Sequence, residues 1–465
     1  MSVPFLAWLA IAVQTDASHV TKILFGSCNL ADKPQDLWRH ILAQGPDLWV
    51  WAGDNIYADP PEGFHWFPRP GTDFSPAHPQ RLRELYAQQR ANPGYSRLLT
   101  SGVPVIGTWD DHDYGINDGD CLYPYRNQSQ TAFLDFIGEP YSSSRRQQLG
   151  VYTSYVYDFG HLAAGEYHPG RVLSIILLDL RFHKDPYQKL DGDFLGAEQW
   201  AWLERIFQNS MGDVHMIVTS LQFLQPRPVI GENWNRFPQA RKRFLRMLAK
   251  YNVTSPILVS GDVHLAEFGM GSCAGGLLFE VTSSGMTHSW GTHEPYSNNL
   301  LSNSLTSLMM SLAQKLLPWR YQMRDAATGA PQYYMGRNFG EIQVDWSSEK
   351  LTAIIRGDDG EAKLQQSMPL KSLGVGQVGI LGVDDFQPLR GEPSPLRWCL
   401  GIGGLACLPV LGFAGCCATL LTCTFATLRI VRRQTPDADG SESEKSTEEA
   451  DECAESSVRL VSEKK

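Results

Sequence analysis

Five short motifs at the ends of strand-forming runs constrain this chain more than any other feature. Residues 22–25 lead into Phe25-Gly26-Ser27-Cys28, and residues 48–52 lead into Gly53-Asp54-Asn55-Ile56-Tyr57. Residues 103–109 lead into Asp110-Asp111-His112-Asp113, 177–180 into Arg181 through Asp179-Leu180, and 257–260 into Gly261-Asp262-Val263-His264. Between them, 34–44, 80–90, 199–208 and 239–251 have helical composition, the last two with amphipathic spacing, and Pro93-Gly94 breaks the second. Alternation of strands and helices predicts an α/β fold, in which ligands bind beyond the carboxyl ends of the strands. Cys, Asp, His and Tyr gathered at four such ends predict a metal centre with hydrolytic chemistry.

The ordered set resembles the alkaline phosphatase D (PhoD-like) family of calcineurin-type metallophosphoesterases. The resemblance covers roughly residues 21–365, with weaker echoes at Leu195-Gly196-Ala197-Glu198-Gln199-Trp200 and Asn338-Phe339-Gly340. It implies a metallophosphoesterase-type double β-sheet sandwich flanked by helices. It also implies hydrolysis of phosphate mono- or diesters by water activated on two or more metal ions. In the family pattern Cys28, Asp54, Tyr57, Asp111, Asn117, Asp262 and His264 would be metal ligands, and His112 the proton donor or phosphate contact. Asp54 is the candidate bridging carboxylate, because the glycine before it lets the backbone approach the ions closely.

Departures from the wider superfamily bear on the metals. Ser27-Cys28 stand where most binuclear relatives carry Asp-x-His, Asp262 replaces a histidine in the last motif, and no histidine follows the strand at 216–220. A thiolate and a phenolate suit ferric iron, as the family resemblance implies, and a carboxylate-rich remainder suits calcium. A mixed iron and calcium centre is therefore expected rather than zinc or manganese. His112 sits among anions that raise its pKa, which suits a general acid. Arg181 emerges from a buried strand and reads either as a bidentate phosphate clamp or as the structural partner of Asp179. Asp110 and Asp113 fit a solvated turn as well as a ligand set, and His288 is expected near the rim without a role.

Hydrophobic segments and sequons predict the address. Residues 3–13 are apolar and Thr15-Asp16-Ala17 follow, which reads as a signal peptide over 1–17. The catalytic domain is expected over 18–370 and a stalk over 371–397. The uncharged stretch 398–428, followed by Arg429, Arg432 and Arg433, reads as a transmembrane helix with a cytoplasmic tail over 429–465. That makes a single-pass type I membrane protein of the secretory pathway, with sequons at Asn127 and Asn252 on the lumenal side. Cys121 and Cys273 each follow a site motif by a few residues and are expected to form a disulfide, leaving Cys28 free as a ligand.

Of the net charge of −10, the tail after Arg433 contributes −6, from ten acidic residues against four basic ones. The Ser/Glu-rich tail is expected to be disordered. The rest carries no basic field, which excludes nucleic acid as a partner. Aromatic residues between 57 and 79 suggest a loop on the substrate side. Arg356-Gly357-Asp358 is an adhesion tripeptide in a context that turn chemistry explains. The rival reading of the same residues is a lumenal or surface binding protein with a structural or decayed metal site.

Overall fold

The computed structural model describes residues 11–13, 19–59, 74–161, 166–225, 231–273, 276–292, 308, 322–325, 328–375 and 387–388. The strands, in chain order, are β1 (Ile11–Ala12), β2 (Val20–Gly26), β3 (Leu48–Ala52), β4 (Val105–Thr108) and β5 (Thr153–Asp158). They continue as β6 (Val172–Leu177), β7 (Val214–Val218), β8 (Pro256–Ser260), β9 (Ala266–Cys273) and β10 (Gly276–Ser283). The last five are β11 (Tyr333–Tyr334), β12 (Phe339–Asp345), β13 (Lys350–Arg356), β14 (Ala362–Pro369) and β15 (Gln387–Pro388). The helices are α1 (Leu37–Ala43), α2 (Pro79–Ala91), α3 (Pro93–Thr100), α4 (Asp111–Tyr114), α5 (Arg126–Phe136), α6 (Gly196–Gln208) and α7 (Pro238–Lys250).

One sheet runs β1-β5-β6-β7-β8-β10-β9-β11, with β15 also on β9, and the other runs β14-β13-β12-β2-β3-β4. Strands β2, β3 and β4 are parallel to one another, as are β6, β7, β8 and β10. Side chains of a strand alternate between its faces, and β3 uses both. Leu48, Val50 and Ala52 enter the core between the two sheets. Trp49 and Trp51 point the other way and meet Trp38 of α1 at ring-centroid distances of 4.9 and 5.6 Å. Helices α6 and α7 cover the outer face of the other sheet with Trp200, Leu203, Phe244, Leu245 and Leu248. The result is a four-layer stack of helices, sheet, sheet and helices, the double sandwich expected.

Asp179 shows how β6 is tied to the site. Its Oδ1 accepts from Trp109 Nε1 and from the backbone N–H groups of Arg181 and Phe182, each at 2.9 Å, and its Oδ2 accepts from the Val151 N–H at 2.8 Å. It therefore serves four donors, and the Arg181 side chain is not among them. Truncation strands buried donors, each at a cost of about 1–3 kcal/mol. Asp179→Ala is expected to lose about 4 kcal/mol of unfolding free energy, read from the urea midpoint, whereas an effect under about 1 kcal/mol would show that water replaces the carboxylate.

Several expectations meet the structure here. Gln387–Pro388, inside the segment read as a stalk, pair with β9, and Leu373 and Val375 are buried, so chain beyond residue 370 still packs on the domain. Ile11–Ala12, inside the segment read as a signal peptide, pair in parallel with β5. Among the described residues no helix is long and apolar enough to cross a membrane, and 398–428 lies outside them, as does 60–73 of the loop read as substrate-side. The Arg356-Gly357-Asp358 tripeptide is engaged internally: Arg356 Nε donates to Glu341 Oε2 at 2.5 Å, and Asp358 pairs with Arg337 at 2.8 Å.

Candidate metal centre

The carboxyl ends of the parallel strands of both sheets meet at one place. Cys28 follows β2, Asp54 follows β3, Asp110–Asp113 follow β4, and Arg181 follows β6. Ser220 follows β7, Asp262 and His264 follow β8, and Ser284 and His288 follow β10. Hydrogen bonds stitch these turns together across the two sheets. Ser220 Oγ donates to Asp110 Oδ1 at 3.0 Å, the His264 N–H donates to Ser284 Oγ at 2.7 Å, and Ser284 Oγ lies 2.9 Å from Cys28 Sγ. Gly53 makes the convergence possible. Its φ is +106°, and a Cβ there would stand 2.8 Å from Asp110 Cβ.

Backbone strain concentrates on the same residues. Cys28, Asp54, Ser220, Asp262 and His264 all have φ between 38° and 67°, the left-handed region that costs a non-glycine residue of order 1–3 kcal/mol. Such conformations persist where the surroundings enforce them, and they turn each side chain into the space beyond its strand.

Potential ligand atoms of Cys28, Asp54 and His264 lie within 4.8 Å of one another. The same holds for Asp54, Asp110, Asp111 and Asp262, and for Asp54, Asp111 and His112. Asp54 belongs to all three sets, as a bridging carboxylate must. Tyr57 joins the first set, its hydroxyl donating to Asp54 Oδ2 at 3.2 Å and standing 3.1 Å from His264 Nε2.

The electrostatics fit a resident cation. Burial pushes the Asp54 carboxyl well above the usual range, with Cys28 and Asp111 adding to it, and burial and neighbouring acids do the same to Asp262. Burial also drives the Cys28 thiol up to about 11. Asp110 Oδ2 and Asp111 Oδ1 are buried without a hydrogen bond. So many buried acids stay ionised together only beside positive charge. An oxygen-rich set beside one thiol, one phenol and one imidazole offers ligands for more than one metal ion.

His112 is held by a residue that the motifs did not single out. Its Nδ1 lies 2.7 Å from Asp59 Oδ1, while Asp59 Oδ2 accepts the Asn117 N–H at 2.9 Å. Burial works against a charged imidazole here, but Asp59, Asp111 and Asp54 outweigh it and push His112 well above its ordinary pKa. Burial is likewise the first influence on Asp111, opposed by His112, Arg181 and the Asp118 N–H, and the balance holds Asp111 down to about 2. Asn117 is thus placed by its backbone on Asp59.

The Arg181 side chain pairs with acids other than Asp179. Its guanidinium is completely buried, with Nε 2.6 Å and Nη2 2.5 Å from Asp110 Oδ1, and Nη2 also contacts Glu232 Oε1. Neither Asp110 nor Asp113 is a solvated turn: both are buried, and they form a reciprocal capping box at the start of α4. His288 lines the site, 4.6 Å from the His264 ring and 5.2 Å from Tyr57.

Asp59, Asp118 and Glu232 were missed by sequence reasoning. Asp59 stands two residues beyond the Gly53–Tyr57 motif, and that proximity was the available signal. Glu232 lies outside every strand-end motif, so nothing local marked it. Cys28 is free and buried, and Cys121 is disulfide-bonded. Cys273, its expected partner, ends β9 at the opposite end from His264, and its side chain lies outside the described residues. Asn252 is exposed in the turn after α7, whereas Asn127 is half-buried in α5.

Fold and site together define a metal-dependent hydrolase. The family model for PhoD-like phosphatase matches residues 24–136 and 161–354, and the chain belongs to that family. It is a metal-dependent phosphoesterase. A solved structure titled "Structure of PhoD" superposes with a TM-score of 0.54 at 16% identity, covering 83% of this chain and 76% of that one, which shows a shared fold. A search of curated proteins finds no match.

Proposed function

We propose that the protein is a membrane-anchored phosphoesterase facing a lumen or the cell exterior, acting on phosphodiesters in preference to monoesters. The observation that carries the reading is the convergence of Cys28, Asp54, Asp111, Asp262 and His264 with the Asp59–His112 pair. Cys28, Asp54, Tyr57 and His264 would hold ferric iron, and Asp54, Asp111 and Asp262, with Asn117, would hold calcium. Bound ions supply an acidified water and charge compensation for the phosphoryl oxygens.

The chain's own groups do the rest. His112, with Nδ1 engaged by Asp59, turns Nε2 away from that carboxylate and hands its proton to the leaving oxygen. Tyr57, His264 and His288 present ring faces and edges beside the reacting centre. The aromatic residues of the 57–79 loop and the apolar 398–428 segment favour a diester, including a lipid-linked one. The same segment, with Arg429, Arg432 and Arg433 after it, supports the anchor and the cytoplasmic tail.

The test uses the full chain expressed in cells. Alkaline extraction should leave it in the membrane, and external protease should remove the acidic tail only after permeabilisation. The detergent-purified protein should hydrolyse a chromogenic phosphodiester faster than the matching monoester. Release by alkaline extraction would remove the anchor, and a monoester preference would reverse the substrate assignment.

A further inference from the structure

Arg181 puts a permanent positive charge inside the acid cluster. A guanidinium is not deprotonated in proteins, so the charge does not exchange with solvent as an ion would. Besides its contacts to Asp110 and Glu232, Nη2 lies 3.7 Å from Asp111 Oδ1. Oxygens of Asp111, Asp118 and Glu232 come within 4.8 Å of one another, close enough to share a cation. Arg181 therefore engages two of the three residues that another ion at this flank would need.

The surroundings hold this arrangement in place. The Tyr187 hydroxyl donates to Glu232 Oε2, and Lys184 Nζ donates to the Asp118 carbonyl at 2.7 Å while lying 3.8 Å from the centroid of the Tyr187 ring. Asp118 is fixed in turn through its N–H, which donates to Asp111 Oδ2 at 2.7 Å. Two buried basic side chains and a phenol thus close one side of the cluster. One edge of Arg181, Nη1, makes neither a hydrogen bond nor an ion pair among the described groups, while Nη2 is held by its ion pairs. A phosphate clamp would have to act through that edge.

The geometry points to Arg181 as an internal cation that stands in for a metal ion at Asp110, Asp111 and Glu232, and so limits how many ions the centre holds. It is a positioning residue: it orients Asp110 and Asp111 toward the ions at Asp54 and leaves the phosphoryl group to others. This rests on the metal-centre reading above.

The deciding experiment counts bound ions in the full chain after loading with iron and millimolar calcium, for the parent, Arg181→Met and Arg181→Lys, with KM for a phosphodiester measured alongside. Arg181→Met is expected to hold about one more divalent ion per chain, with KM within about twofold of the parent, while Arg181→Lys keeps the parental count. An unchanged count in Arg181→Met overturns the proposal, and a KM raised severalfold with that count identifies a clamp. Should Arg181→Met fail to fold, the double variant Arg181→Met/Glu232→Gln removes the pair together. Parental count and KM in the double variant support the proposal, and a raised KM overturns it. A parent without bound metal would remove the metal-centre reading itself.

Discussion

Asp54→Ala is expected to abolish hydrolysis and to strip the protein of bound metal while leaving it folded. Removing a group that only supports a ligand costs about 10–100-fold in affinity or activity. A carboxylate shared by every ligand set around it should cost about a thousandfold or more. The stability effect has the opposite sign. In the metal-free state Asp54 is a buried acid raised by desolvation and by its neighbours Cys28 and Asp111, so deleting it relieves repulsion. Metal-free Asp54→Ala should melt at or above the metal-free parent, and the parent should gain stability on metal addition that the variant does not. A variant that retains metal but loses activity would make Asp54 a group for substrate rather than a bridge.

His112→Asn should separate proton transfer from metal binding. Loss of a general acid costs about 10²–10⁴-fold, and the loss should be largest for esters with poor leaving groups. Bound metal should stay at the parental level. Because anions hold the imidazole charged well above its usual range, the acid form is present below that raised pKa and lost as pH climbs through it. The parent should therefore lose activity on an alkaline limb that His112→Asn lacks. Asp59→Asn removes the foremost of the influences that raise His112, so its limb should move to lower pH. An alkaline limb unchanged in Asp59→Asn would assign it to another group.

Much of the site was legible because strand ends are local. Val105–Thr108 followed by Asp110, or Pro256–Ser260 followed by Asp262, can be read from a dozen residues. Parallel strands then bring those ends together whatever lies between. The contacts that settle roles are not local. Arg181 meets Asp110 across 71 positions and Asp59 meets His112 across 53, so neither partnership has a signature in its own neighbourhood. Arg181 reads from sequence either as a clamp or as the partner of Asp179, because only the strand before it is local. Glu232, which it contacts in the fold, stands in no motif.

The fold divides the same way. Helices at 199–208 and 239–251 correspond closely to α6 and α7, where an apolar face repeats at helical spacing. The hairpin of β9 and β10 escaped notice because its alternation is broken by glycines at 269, 271 and 276.

The first experiment measures turnover of a chromogenic phosphodiester by the purified parent, with bound metals quantified before and after chelation and reloading. At least two ions per chain are expected, iron among them, with hydrolysis lost on chelation and restored on reloading. A folded protein that binds those ions yet turns over neither diester nor monoester, or one that hydrolyses equally well without metal, would contradict a metal-dependent phosphoesterase.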